Sequence, residues 1–178
     1  MLRRAGQYFL IYSFLGWMLE GCYNWVVHGR FQKPNFLHGP VKPMYGFGGV
    51  LLAGSYKYDR KHFHYNCCLL PLLVEFCSGL WLERKFQLKY WDYSKEFLQL
   101  GGYICFRFAL CWIVLAQLLA RWVHPLLAVF LRYAGGLRGW KLLYRLFLVD
   151  CLSTIYQRRR ACRHNTKSAG NHFGCRAA

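Results

Sequence analysis

Apolar residues along this chain gather into long blocks, separated by short stretches that are polar, basic or rich in proline and glycine. The first block, QYFLIYSFLGWMLEGCYNWVV over residues 7–27, is long enough to cross a bilayer. Within it Ser13, Gly16, Glu20, Tyr23 and Asn24 recur at three- and four-residue steps, which places them on one helix face. A first span is expected over about residues 6–27. The connection HGRFQKPNFLHGPVKPMYGFGG, residues 28–49, holds three of the chain's 5 prolines and cannot be regular helix throughout. It leads into a short second span over about residues 44–58, closed by Lys57, Arg60 and Lys61. Irregular backbone at membrane depth must be satisfied by protein or water, so the loop is either partly re-entrant beside a cavity or a surface connection.

The third block predicts a span over about residues 65–83, with Pro71, Glu75, Ser78, Gly79 and Leu82 on one side. Residues 84–101 turn amphipathic, and Trp91-Asp92-Tyr93-Ser94 reads as an interfacial turn with its indole at headgroup level and Asp92 as a cap. A fourth span is expected from near Gly102 to at least Ala120, with a break or kink at His124-Pro125 and a short interfacial helix after it. A fifth span, about residues 140–157, carries Asp150, Ser153, Thr154 and Gln157. From Arg158 onward apolar periodicity is lost. The pattern therefore predicts an all-α, polytopic transmembrane helical bundle of about five spans over residues 1–157, followed by a basic disordered tail over residues 158–178.

Composition narrows the setting. Residues are 56% hydrophobic and 19% aromatic, which excludes a disordered chain, and the formal charge is +17. Such a charge raises nucleic-acid binding. The aromatics, however, lie inside the apolar blocks and the bases lie at their ends, which is the snorkelling and aromatic-belt pattern of a protein whose partner is the lipid bilayer, with no nucleic acid. The basic residues of the tail favour a cytoplasmic C-terminus. The 9 cysteines include no C-x-x-C, and Cys67-Cys68 beside His62-Phe63-His64 matches no zinc spacing, so no metal or cofactor is assigned. Arg3-Arg4 ahead of an apolar run resembles a secretory signal, but Glu20 and the lack of an A-x-A site favour a retained helix.

Ionisable groups are costly in lipid and normally face a protein interior or a water path. Glu20, Glu75 and Arg107 are therefore the candidates for a substrate or proton path, with Arg107 as counter-ion to an acid; Asp150 is placed nearer the interface. The same three residues also fit a structural polar core that fixes helix register. No H-E-x-x-H or recognisable nucleophile motif is present, so an enzyme is not expected.

The blocks YSFLGWMLE (Tyr12 to Glu20), FLHGPVKPMYGFGG (Phe36 to Gly49), VEFCSGLWLERKF (Val74 to Phe86), WDYS (Trp91 to Ser94), GYICFRFALCW (Gly102 to Trp112) and HPLL (His124 to Leu127) occur in an order that resembles the bacterial CmpB-like family of ABC-transporter permeases. The resemblance covers about residues 8–156. It makes Gly39, Pro40, Pro43, Tyr45 and Gly46, with Trp91, Asp92, Tyr93 and Ser94, structural motif residues, and implies a multi-pass protein of the bacterial cytoplasmic membrane. No G-x-x-x-x-G-K-[ST] loop is present, so ATP hydrolysis of that kind would need a separate ATPase subunit. Few spans for a whole pathway also imply partner subunits or a homo-oligomer. The contrasting expectation is a noncatalytic membrane adaptor or assembly factor.

Overall fold

The computed structural model describes residues 2–31, 35–58, 61–134, 136 and 139–168. Helix α1 (Leu2–His28) ends where Gly29 takes a left-handed conformation, φ 68°, and its N–H caps the Trp25 carbonyl at 2.9 Å. The described residues from there to Lys42 are irregular. Helix α2 (Pro43–Tyr58) starts on proline, whose fixed φ and missing N–H suit a first helical position. Helix α3 (Phe63–Phe86) carries Pro71 within it and stops at Gln87, which is left-handed and caps Glu83.

The fourth helix does not begin near Gly102 as its apolar residues predict. Gly101 and Gly102, at φ 61° and 72°, instead turn a small antiparallel hairpin of β1 (Gln99–Leu100) and β2 (Ile104–Cys105), and α4 (Phe106–Leu118) follows. At His124-Pro125, where a break or kink is expected, the helix does not end. A π turn, Leu119–Val123, runs directly into α5 (His124–Ala134), so one helix continues from Phe106 to Ala134. Proline lacks an N–H and its ring crowds the preceding turn; the wider π turn relieves both without ending the helix. Helix α6 (Gly139–Ser168) likewise runs past Arg158, where a disordered tail is expected, and residues 169–178 of that tail lie outside the described residues.

Two of these helices are long and apolar enough to cross a bilayer: Phe63–Phe86, with mean hydropathy 1.4, and Phe106–Ala134, with 1.7. The expectation of five spans is thus met in two. The reasons are local: α2 has only 16 residues, about 24 Å of helix, and α1 and α6 carry polar and charged side chains along their length. Large apolar side chains such as Val26, Trp122, Tyr133 and Leu152 point outward, the distribution expected where the surrounding solvent is lipid.

The interior is small. Leu52, Phe63, Cys67, Ala116 and Ala120 form its apolar cluster between α2, α3 and the α4–α5 helix. Helices α1 and α2 meet through glycine: a Cβ on Gly16 would overlap the Tyr45 ring, and one on Gly49 the Tyr12 ring. Helix α6 lies parallel to α1, with the Tyr144 hydroxyl on the Arg3 carbonyl at 3.3 Å and Phe147 edge-on to Phe9 at 5.5 Å.

Candidate functional site

Close approach of α1 to the start of α2 determines what Glu20 meets. One carboxylate oxygen takes the Lys42 ammonium, and the other accepts the Tyr45 O–H at 2.8 Å. The two charged side chains are only 18% and 11% exposed, so the pair is largely withdrawn from water. Lys42 is held in place from both sides: Pro43 opens the helix, and the Lys42 backbone N–H donates to the Ser13 carbonyl at 3.0 Å. The Tyr45 ring lies over Gly16 and 5.5 Å from Trp112 of α4.

Glu75 is buried on α3 in the same face as Gly79 and Leu82, the face read from the sequence. It accepts the Tyr93 O–H at 3.4 Å, and the Tyr93 ring stacks on Phe108 with centroids 4.9 Å apart. Burial first, and then the Glu75 carboxylate, push the Tyr93 phenol above its usual range, so the hydroxyl keeps its proton and acts as a donor.

The turn that delivers Tyr93 is built from the rest of its motif. Asp92 accepts the Ser94 hydroxyl and its N–H, the latter at 3.0 Å, and lies 3.1 Å from the Lys89 ammonium; these contacts hold its carboxyl down to about 2. The Tyr93 N–H donates to the Gly102 carbonyl at 2.9 Å. The Trp91 indole N–H donates to the Tyr103 carbonyl at 2.8 Å, so the indole is tied into the protein, where the sequence suggests an anchor at headgroup level.

Two cavities flank this polar centre. The first, about 440 Å³, is lined by Glu20 and Lys42 together with Phe36, Trp81, Tyr90 and Trp91. The second, about 450 Å³, is lined by Tyr45, Glu75 and Trp112 among mainly apolar side chains. Both are of the size that takes small-molecule ligands. An ion pair, a second acid and two phenols between apolar cavities can orient a polar group, hold a cation or pass a proton.

Arg107 is not part of this centre. It is exposed at the start of α4, its guanidinium 5.8 Å from the Phe108 ring, and among the described residues it forms no ion pair with either acid. Lys42 fills the role assigned to it. The available signal is the setting of Lys42, one residue ahead of a proline at the start of the expected second span.

Asp150, placed by the sequence near the interface, has a structural task. Its carboxylate accepts the backbone N–H groups of His38 and Gly39 at 3.1 and 2.9 Å, and lies 3.1 Å from the His38 ring, while Thr154 reaches the same ring at 2.8 Å. The Gly39-Pro40 turn is thereby clamped to α6, and a Cβ on Gly39 would crowd the carboxylate. Asp150→Ala is expected to cost about 1 to 3 kcal/mol locally, the price of backbone donors left unmet. Amide hydrogen exchange of residues 36–41 should speed up while α3 is unchanged; unaltered exchange in the turn would refute the clamp.

A family model described as "Putative ABC-transporter type IV", CmpB, matches residues 7–155. No curated protein and no solved structure matches the chain. All residues of the polar centre and of the Asp150 clamp lie within the matched stretch.

Proposed function

The chain belongs to the CmpB family, whose description is "Putative ABC-transporter type IV", and from that premise we propose that it is the membrane subunit of a transport complex whose ATP is hydrolysed by a separate chain. In this reading α1, α2 and α6 join the two apolar helices in a multi-pass bundle, in a bacterial cytoplasmic membrane. The exposed apolar side chains on all of these helices support that arrangement. The polar centre is then the part of the path that meets a polar or ionisable solute.

The observation that carries the proposal is the placement of Glu20, Lys42, Tyr45 and Glu75 between two cavities of about 440 and 450 Å³. A centre needed only for helix register would be packed on all sides. The adaptor reading has its own support in the complete pairing of Glu20 with Lys42 and Tyr45, which would serve folding equally well.

Glu75→Gln separates the two. It keeps the shape of the side chain and its acceptor for Tyr93 but cannot carry a charge or exchange a proton. Affinity purification of the full chain from its native membrane should retain an ATPase partner in both forms, and the partner's ATPase activity should fall at least tenfold in the variant at equal complex yield. Wild-type activity in the variant, or no co-purifying ATPase for either protein, would sink the transport reading.

A further inference from the structure

The first cavity is walled by the last turns of α3, from Cys77 to Leu82, and by Tyr90 and Trp91 just after that helix. The Cys162 thiol on α6 donates to the Phe86 carbonyl at 3.3 Å, which brings the arginines of α6 beside the end of α3. Tyr90 forms part of the cavity wall, and its hydroxyl oxygen is buried with no hydrogen-bond partner among the described residues. Arg158 stands one helical turn before Cys162 on the same face of α6. Lys85 follows Trp81, another wall residue, by one helical turn on the same face.

Two acids near the end of α3 are already engaged. Glu83 accepts the Tyr103 hydroxyl at 2.7 Å, and Asp92 takes Lys89. Lys85, Arg158 and the exposed Arg159 therefore leave a cationic surplus above an apolar, aromatic-walled cavity. The Tyr90 hydroxyl adds a buried donor in the cavity wall. This combination suits an amphipathic anion, with a chain below and a diffuse negative charge above.

We propose that this cavity seats an acyl chain of an anionic phospholipid, with the phosphate held by the Tyr90 hydroxyl, Arg158 and Lys85. The inference rests on the membrane setting of the function proposed above and not on transport.

The test uses the full chain in detergent micelles, titrated with phosphatidylglycerol whose acyl chains carry bromine, which quenches nearby tryptophan fluorescence. Saturable quenching is expected, reduced in Trp81→Phe, while brominated phosphatidylcholine requires at least tenfold more lipid. Combined Lys85→Ala and Arg158→Ala should weaken phosphatidylglycerol binding by roughly 25-fold, about fivefold for each base, without changing the weak binding of phosphatidylcholine. Lys85→Arg with Arg158→Lys should restore it. Tyr90→Phe should weaken it by about tenfold, the loss of a hydrogen bond to a charged group. Equal binding of the two lipids, or wild-type affinity in the doubly neutralised variant, overturns the proposal. Displacement of the lipid by millimolar inorganic phosphate also overturns it, because the site would then belong to the free ion. Glu75→Gln should bind phosphatidylglycerol as the wild type does, so failure of the transport reading and failure of the lipid site are read separately.

Discussion

Lys42→Ala is expected to destabilise the protein by about 3 to 5 kcal/mol, the usual cost of removing one partner from a buried ion pair. The cost arises because the Glu20 carboxylate, only 18% exposed, is left beside Tyr45 without its ammonium. Glu20→Gln alone has the converse effect, stranding the ammonium. Changing both at once, Glu20→Gln with Lys42→Met, removes both charges and should recover most of the loss. Thermal unfolding of the full chain in detergent, followed by near-ultraviolet circular dichroism, should show a drop on the order of 10 °C for the single variant and a small one for the double. Arg107→Ala, by contrast, should stay within about 0.5 kcal/mol of wild type, as exposed positions away from such features do. Equal effects at Lys42 and Arg107 would mean that the counter-ion has been misassigned.

Gly16→Ala is expected to be nearly as damaging although it adds one methyl group. That methyl would lie inside the Tyr45 ring, and relief would require either α1 and α2 to separate or Tyr45 to give up its bond to Glu20. Overpacking of this kind costs about 1 to 3 kcal/mol in a core that can adjust; where two backbones set the spacing, about 3 kcal/mol is expected. Gly54→Ala in α2 is the matching control. Nothing lies within 4 Å of the added Cβ there, and replacing a helical glycine should gain up to about 1 kcal/mol. Opposite shifts in unfolding temperature for the two substitutions are the expected result, and a destabilising Gly54→Ala would show that α2 is not packed as described.

Legibility from the sequence followed the physical range of each interaction. Period alone put Ser13, Gly16 and Glu20 on one face of α1, and Glu75, Gly79 and Leu82 on one face of α3, because helical spacing is a local property. Hydropathy separated the apolar blocks but placed the start of α4 too early: Gly102-Tyr103-Ile104-Cys105 is apolar enough for a helix, and only the two positive φ angles reveal the hairpin. The π turn was equally hidden, since His124-Pro125 reads as a helix end unless the turn before it can widen.

The partners of charged residues were the least legible. Arg107 is the expected counter-ion by its position in an apolar block, but ion pairing depends on how the helices cross, and no local pattern encodes that crossing. Asp150 shows the same limit. Its work is done 111 and 112 residues away, on two backbone amides, and a backbone amide leaves no mark in the amino-acid sequence.

The π turn at Leu119–Val123 also acts as a phase adjuster. A π turn holds one more residue than the α turn it replaces, so everything beyond it is rotated by about 100° relative to an uninterrupted helix. Ahead of it, Ala116 faces the apolar cluster, and Ala120 does so from within the turn; beyond it, His124 comes round to meet the Tyr12 hydroxyl at 2.7 Å. One helix thereby serves two neighbours that lie in different directions. The sequence carries this as a single surplus residue, which makes the spacing between Ala120 and His124 a matter of angle before it is one of length.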